Sequence, residues 1–366
     1  MSGELEEIRS LAREFATNEL RPYLEEWDRE ARLDPAVLDT LGELGFFGTL
    51  VPEEYGGMEL PLPVYTALLE ELSWGEPSVA LTVSIHSAFA VGILLRHGSE
   101  EQRERWLGKL ATGETIGAFA LSEEGAGSDP AALETRATQT DEGWVLEGTK
   151  KWVTNAQIAG LAIVAAKTDA GIGLFLVPTD TEGYEIGERE TTMGLRPVEV
   201  ATIELRGLRL GADALIGEPG RGLAYALEAL DIGRLGIAAQ ATGIAQAALD
   251  HALRYADERE QFGSKIREFQ AIQFKLAEMA TRTEAARGLV ERAARQPSTK
   301  GAAIAKLYAS QTAMWVTTEA VQIYGGYGYM RDYPVEKLMR DAKATEIYEG
   351  TNEIQRLVIA RELYRS

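Results

Sequence analysis

A mainly α-helical chain with a small β-barrel at its centre is the fold class the sequence predicts. Three changes of texture along its 366 residues predict it. Apolar residues recur at helical spacing in the first third, short β-branched and aromatic runs divided by turn formers follow, and the remainder is Ala-, Leu- and Ile-rich with helical periodicity. The units expected are an N-terminal α-helical domain over 1–115, a middle antiparallel sheet or barrel over 116–217 and a C-terminal four-helix bundle over 218–366.

In the first unit Leu5, Ile8, Leu11, Ala12 and Phe15 mark one helical face, and Pro22, Asp34-Pro35 and Val51-Pro52 punctuate further short helices. Leu62 to Trp74 and Val79 to Leu95 read as buried helices, and Glu100 to Leu110 as one more. The run from Val79 to Leu95 carries Thr82, Ser84, His86 and Ser87 and is short for a membrane span. Strands are expected at Thr115–Leu121, Trp144–Glu147, Leu161–Ala166, Gly173–Pro178 and Val200–Leu205. Gly217-Glu218-Pro219-Gly220-Arg221-Gly222 reads as a linker and helix start, since no βαβ unit frames it and no Gly-Lys-Ser/Thr follows. Helices are then expected at Leu223–Arg259, Ile266–Arg295, Lys300–Tyr324 and from Gln355 onward.

A formal net charge of -20 argues against nucleic acid as a partner, because a phosphate backbone wants a basic face. The absence of cysteine excludes disulfides, thiolate nucleophiles and Cys-based metal sites. His86, His97 and His251 show no metal-ligand spacing and point to neither metal catalysis nor a Ser-His-Asp triad. Any enzyme chemistry then falls to a carboxylate and an organic cofactor. The acidic Met1–Ser10 stretch lacks the layout of a signal or transit peptide, so the expected location is cytoplasmic, with no membrane span.

The stretch richest in chemistry is Tyr348-Glu349-Gly350-Thr351, where a carboxylate sits beside an aromatic ring and before a glycine that lets a ligand approach the backbone. Asn352 with Gln355 reads as a capping box opening the last helix, which places Glu349 in the turn between two helices. Upstream, Leu121-Ser122-Glu123-Glu124-Gly125-Ala126-Gly127-Ser128-Asp129 offers small residues and hydroxyls that free backbone N–H groups for an anion or a ring oxygen. In Lys150-Lys151-Trp152-Val153-Thr154-Asn155, strand alternation puts Trp152 and Thr154 on one face. Arg259-Glu260-Gln261-Phe262-Gly263 ends a long helix with a cation suited to a pyrophosphate. Gln322-Ile323-Tyr324-Gly325-Gly326 is a helix end where backbone can pass close to a ligand. Asp231-Ile232-Gly233-Arg234 adds an arginine to the first bundle helix. Each alone also fits a tight loop, a core tryptophan or a helix cap. Their order is what discriminates.

In that order these residues resemble the acyl-CoA dehydrogenase family of flavoenzymes, over nearly the whole chain. The resemblance implies FAD-dependent α,β-dehydrogenation of an acyl-CoA thioester to the trans-2-enoyl-CoA, with β-hydride transfer to flavin N5. Glu349 matches the general base that removes the α-proton; its backbone N–H and a ribityl hydroxyl would hold the thioester carbonyl. An upward pKa shift is expected for Glu349. Phe119, Leu121, Ser122, Gly127, Ser128, Trp152 and Thr154 match positions lining the flavin. Arg259, Gln261, Phe262, Phe269, Gln270, Gln322, Gly325, Gly326, Thr351 and Glu353 match positions holding the rest of FAD. Ser128, Asp231, Arg234, Glu349 and Gly350 match substrate-contacting positions. A homotetramer built as a dimer of dimers is implied, with electron-transferring flavoprotein as acceptor. Relatives whose base precedes the arginine matching Arg234 have an acid where this chain has Gly233, so the stretch is most similar to short-chain and bacterial members. Glu124 and Pro197-Val198-Glu199-Val200 depart from the family pattern. Acyl-CoA oxidases share the motifs but usually carry an extra C-terminal domain, and the DNA-associated branch fits poorly with the acidic charge.

Overall fold

The computed structural model describes residues 2–365. Among the described residues seven α-helices come first: α1 (Ser2–Phe15), α2 (Leu24–Glu30), α3 (Pro35–Glu43), α4 (Leu62–Gly75), α5 (Pro77–Ile85), α6 (Gly92–His97) and α7 (Glu100–Thr112). Asp34 caps α3 by accepting from the Ala36 N–H, and Ser99 with Gln102 forms a capping box on α7. Between α5 and α6 the helix continues through a wide π-helical segment, His86–Val91. The continuous rod Pro77–His97 is long and apolar enough to cross a membrane, yet 94% of its apolar window is buried inside the protein. It is a core helix, packed beside α4.

The middle unit is a seven-stranded sheet of β1 (Ile116–Ala120), β2 (Arg136–Thr140), β3 (Gly143–Thr154), β4 (Ala159–Thr168), β5 (Gly171–Pro178), β6 (Tyr184–Arg189) and β7 (Val200–Leu210). The expected barrel is not closed. The order is β1-β4-β2-β3-β7-β6, with β5 paired to β4, and among the described residues no ladder joins β6 back to the opposite edge. Nor is the sheet purely antiparallel, for β1 and β2 both run parallel to β4. Turn spacing is local and does not report which edges meet. Strands β2 and β6 escaped the sequence pattern because their side chains are mostly polar and outward-facing; β2 buries only Ala137. By contrast β4 buries Leu161 through Ala166 without a break, as a central strand must.

The C-terminal part begins with the 37-residue α8 (Gly222–Glu258). A two-stranded hairpin, β8 (Glu260–Gln261) and β9 (Ser264–Lys265), leads into α9 (Gln270–Arg295) and α10 (Thr299–Tyr324). Two shorter helices, α11 (Pro334–Thr345) and α12 (Asn352–Leu363), complete it. Five α-helices thus stand where four were expected. Helix α11 was hidden because its buried face sets Lys337 and Asp341 among Val335, Leu338 and Ala342, so the apolar stripe is broken by charge. Lys337 Nζ donates to Glu76 Oε1 at 3.0 Å and to Asp341 Oδ2 at 2.6 Å, while Asp341 Oδ1 accepts from the Leu195 N–H at 2.5 Å. All three ionic side chains are buried. Burial alone would lower the Lys337 pKa, but Asp341 and Glu76 hold it above the usual lysine range. This cluster ties α5's start, the loop after β6 and α11 together.

Candidate active site

Glu349 lies in the turn between α11 and α12, at φ +52°, with Gly350 at φ +91°. A left-handed glutamate is a costly backbone state that surrounding contacts must hold. Gln355 Nε2 donates to the carbonyls of Glu349 (3.2 Å) and Gly350 (2.8 Å). Lys306 Nζ donates to the Gly350 carbonyl at 2.9 Å and to Asn352 Oδ1 at 3.3 Å, and Ser310 Oγ donates to the same Oδ1 at 3.0 Å. The Tyr348 hydroxyl donates to Gln240 Oε1 at 2.5 Å, and Gln240 Nε2 donates to the Pro77 carbonyl at 2.7 Å. The helix cap is Thr351, whose side chain accepts from the Ile354 N–H, and not Asn352 as the capping-box pattern suggested. Asn352 is spent on Lys306 and Ser310, and Gln355 reaches back into the turn, so neither side chain is free to close the box.

The residue as a whole is half-buried, while both Glu349 carboxylate oxygens are buried with no hydrogen-bond partner. They rest against Gly233 of α8: a Cβ there would overlap Oε2 and stand 2.9 Å from the carboxyl carbon. The glycine at 233 is therefore the space that the Glu349 carboxylate occupies. Burial pushes the Glu349 pKa up to about 8, against the opposing pull of Lys306 and Arg234. Arg234 Nη1 pairs with Asp231 Oδ1 at 2.8 Å, and Thr299 Oγ1 donates to Asp231 Oδ2 at 2.5 Å. Lys306 is buried and lowered to about 8 by desolvation, with Glu349 the largest charge raising it. Sequence reasoning missed Lys306. Its signal was a lone lysine among Ala302, Ala303, Ala305 and Ala309, a buried small-residue stretch of α10 where a charge needs a partner.

Beside this turn a cavity of about 310 Å³ opens between sheet and helices, lined by Trp152, Thr154, Leu195, Ala344, Ile347 and Tyr348 among others. Trp152 sits at a bulge in β3, at φ +56°, with its side chain thrown outward; the residue is 53% exposed. Phe119 stacks on Phe89 at 4.5 Å, and Leu121 is half-buried at the end of β1. The loop that follows is anchored through Glu123, which accepts from Lys150 Nζ (2.7 Å) and from the Glu134 and Thr135 N–H groups. Within that loop Ser122 is half-buried, and Gly127 and Ser128 are exposed. A second, separate cavity of about 520 Å³ gathers Arg259, Gln261, Gly325 and Gly326. Phe262, 96% exposed, meets Phe269 edge-on, and Gln270, Gln322 and Glu353 are exposed with Thr351 half-buried. The structure thus brings Trp152, Thr154 and the Tyr348–Glu349 turn together, but leaves the Arg259 and Gly325 group at another opening of the chain.

Three family profiles match the chain in succession: acyl-CoA dehydrogenase N-terminal domain over 2–114, middle domain over 118–208 and C-terminal domain over 220–364. The chain belongs to the acyl-CoA dehydrogenase family. Short-chain specific acyl-CoA dehydrogenase of Bos taurus is 45% identical, over 98% of this chain and 90% of its own length. Butyryl-CoA dehydrogenase from Megasphaera elsdenii superposes with a TM-score of 0.98 at 40% identity, covering 100% of this chain and 99% of its own. A glutaryl-CoA dehydrogenase from Mycobacterium smegmatis, solved with FADH2, superposes at 0.94 with 31% identity, covering 99% and 95%. The chain is an acyl-CoA dehydrogenase, an oxidoreductase.

Proposed function

We propose that this acyl-CoA dehydrogenase converts short-chain acyl-CoA to the trans-2-enoyl-CoA, with Glu349 as the base that takes the α-proton. The observation that carries the reading is a carboxylate with both oxygens buried and unpartnered, on a braced turn beside the cavity that Trp152 lines; that burial pushes its pKa up to about 8. An α-C–H is weakly acidic, so its base must be basic enough to take a proton near neutral pH and must be held against it. Gln355, Lys306 and Gln240 do the holding. Arg234 and Lys306 supply positive charge beside the carboxylate. The short-chain assignment is supported by the 45% identity to the Bos taurus enzyme.

The cavity beside Trp152 suits a flat ring: its size is that of a small-ligand pocket, and the outward tryptophan and Tyr348 give it aromatic walls. Trp152, Thr154, Leu121, Ser122 and Phe119 would hold the ring of FAD. FAD, when bound, supplies the two-electron acceptor for the β-hydrogen. Arg259, Gln261, Gly325 and Gly326 would hold the remainder of an FAD bound chiefly to a neighbouring copy, which accounts for their separate cavity and for a homotetramer; a Cβ at either glycine would meet nothing within 4 Å. Electrons would pass onward to electron-transferring flavoprotein. The test is Glu349→Gln, which should keep bound flavin and lose turnover of butyryl-CoA by at least ~10²-fold. Normal turnover of that variant removes Glu349 from the mechanism.

A further inference from the structure

Strand β1 is an edge strand: among the described residues it pairs only with β4, in parallel. An edge leaves N–H and C=O groups without a ladder, and a buried edge must find them other partners. At Gly117, which is buried, two side chains are those partners. The Gly117 N–H donates to His86 Nδ1 at 3.0 Å, and the Gly117 carbonyl accepts from Asn155 Nδ2 at 3.1 Å. The same Nδ2 donates to the Thr82 carbonyl of α5 at 3.2 Å. Both residues are fully buried. Burial lowers the His86 pKa to about 4, so near neutral pH the ring is uncharged and Nδ1 is free to accept. Asn155 directly follows β3 at φ +64°, a left-handed state that asparagine takes more readily than most side chains.

The clamp joins the two walls of the site. On one side Asn155 follows Thr154 and the β3 bulge that throws Trp152 outward. On the other, His86 opens the π-helical segment His86–Val91, a kind of wide turn that recurs at functional sites. That segment lies close against β1, where a Cβ at Gly117 would overlap Ala90 Cβ. Phe119, on the same strand face as Gly117, stacks on Phe89 with ring centroids 4.5 Å apart and planes 5° apart. Phe89 in turn reaches the base: a Cβ on Gly233 would stand 3.1 Å from Phe89 Cζ while overlapping Glu349 Oε2. An unbroken run of contacts thus leads from Asn155 and His86 through Gly117, Phe119 and Phe89 to the Glu349 carboxylate.

We infer that Asn155 and His86 are positioning residues, a clamp that fixes the wall of Phe119, Trp152 and Thr154 relative to Glu349. That inference rests on the reading of Glu349 as the base and of this wall as the seat of the flavin ring. Neither side chain hydrogen-bonds Ser128, Asp231, Arg234 or Gly350, the positions matched to substrate contact. Loosening the clamp therefore leaves acyl-CoA binding in place and moves the wall away from the base. A misplacement of ~1 Å between reacting groups slows a step by up to ~10²-fold.

Four variants are compared as FAD holoenzymes. Asn155→Asp keeps the shape but turns a carboxyl oxygen toward the Thr82 and Gly117 carbonyls; Asn155→Gly keeps the left-handed backbone but donates nothing. His86→Leu accepts nothing, while His86→Asn sets an amide oxygen on the side where Nδ1 accepts. Each is read by the visible circular dichroism of the flavin and by anaerobic flavin reduction over a range of butyryl-CoA. Asn155→Asp and His86→Leu should lower the limiting rate by at least ~10-fold and change the dichroism, with half-saturation within about twofold of wild type. His86→Asn should recover most of both. Should Asn155→Asp not fold, Asn155→Gly carries the same comparison. An unmoved limiting rate and flavin spectrum, a loss carried by half-saturation instead, or His86→Asn no better than His86→Leu overturns the clamp. So does failure of Asn155→Gly to fold, since the pair would then hold the chain together and not the wall. If Glu349→Gln reduces flavin with butyryl-CoA as fast as the wild type, the parent reading falls, whatever the clamp variants do.

Discussion

Raising the pH from 6 to 8 should speed flavin reduction at low acyl-CoA about 50-fold, because one buried carboxyl must ionise first. Glu349 is held at about 8 against an ordinary 4.5, a preference for its neutral form of about 5 kcal/mol. The ionised fraction is then about one in a hundred at pH 6, one in ten at pH 7 and one half at pH 8. The groups that face it are Arg234 from α8, itself paired to Asp231, Lys306 from α10, Tyr65 from α4 and Tyr348 from its own turn. Lys306 is placed at about 8 as well, so the two titrate as a coupled pair and the rise flattens as the lysine loses its charge. Lys306→Met removes a cation that lowers the Glu349 pKa, so the rising limb should move to higher pH and the rate at pH 7 should fall. Stability carries the opposite sign. A carboxyl whose pKa is raised on folding holds a proton that the unfolded chain releases, so its cost to the fold is absent below pH 4.5, grows as pH rises and is complete above about 8. Glu349→Gln removes that cost. The variant should melt above the wild type at pH 9 and together with it near pH 4. Stopped-flow reduction across pH 6–9 and calorimetry at both ends check the pair of expectations. A rate flat from pH 6 to 9, with no alkaline gain in melting temperature for Glu349→Gln, would refute the buried-base argument.

Gly233→Ala should retain flavin, read from its visible absorption, but lose turnover by at least ~10²-fold, since the new Cβ takes the space of Glu349 Oε2 and the base must turn away. Lys337→Met leaves Glu76 and Asp341 buried without their cation and should cost about 3–5 kcal/mol in urea unfolding; an unchanged midpoint would mean the cluster relaxes into water.

What the sequence displays of this protein follows from which groups speak through spacing. Tyr348-Glu349-Gly350-Thr351 and Trp152-x-Thr154 could be read because their chemistry lies in residue type at short range, and the structure sets both stretches on one cavity. The long helices α8, α9 and α10 could be read because an apolar stripe at helical period survives any tertiary arrangement. Helix α11 could not, because Lys337 and Asp341 look like a solvated face until Glu76, more than 250 residues earlier, is seen to meet them. The open edge of the sheet was equally silent: strand spacing is local, and whether β6 meets another edge depends on twist accumulated over seven strands. Gly233 shows the same limit from the other side. As a sequence position it said only that the base was elsewhere; in three dimensions it is the recess that lets Glu349 be that base. Lys306 completes the case. A lysine in a run of alanines shows no partner along its own helix; its nearer partner is a backbone carbonyl, that of Gly350, and its other, Asn352, lies more than 40 residues on. The parts of the site that evaded the sequence are therefore those where a charge or a space is matched by backbone or by a distant element, and these are the parts that set the basicity of Glu349.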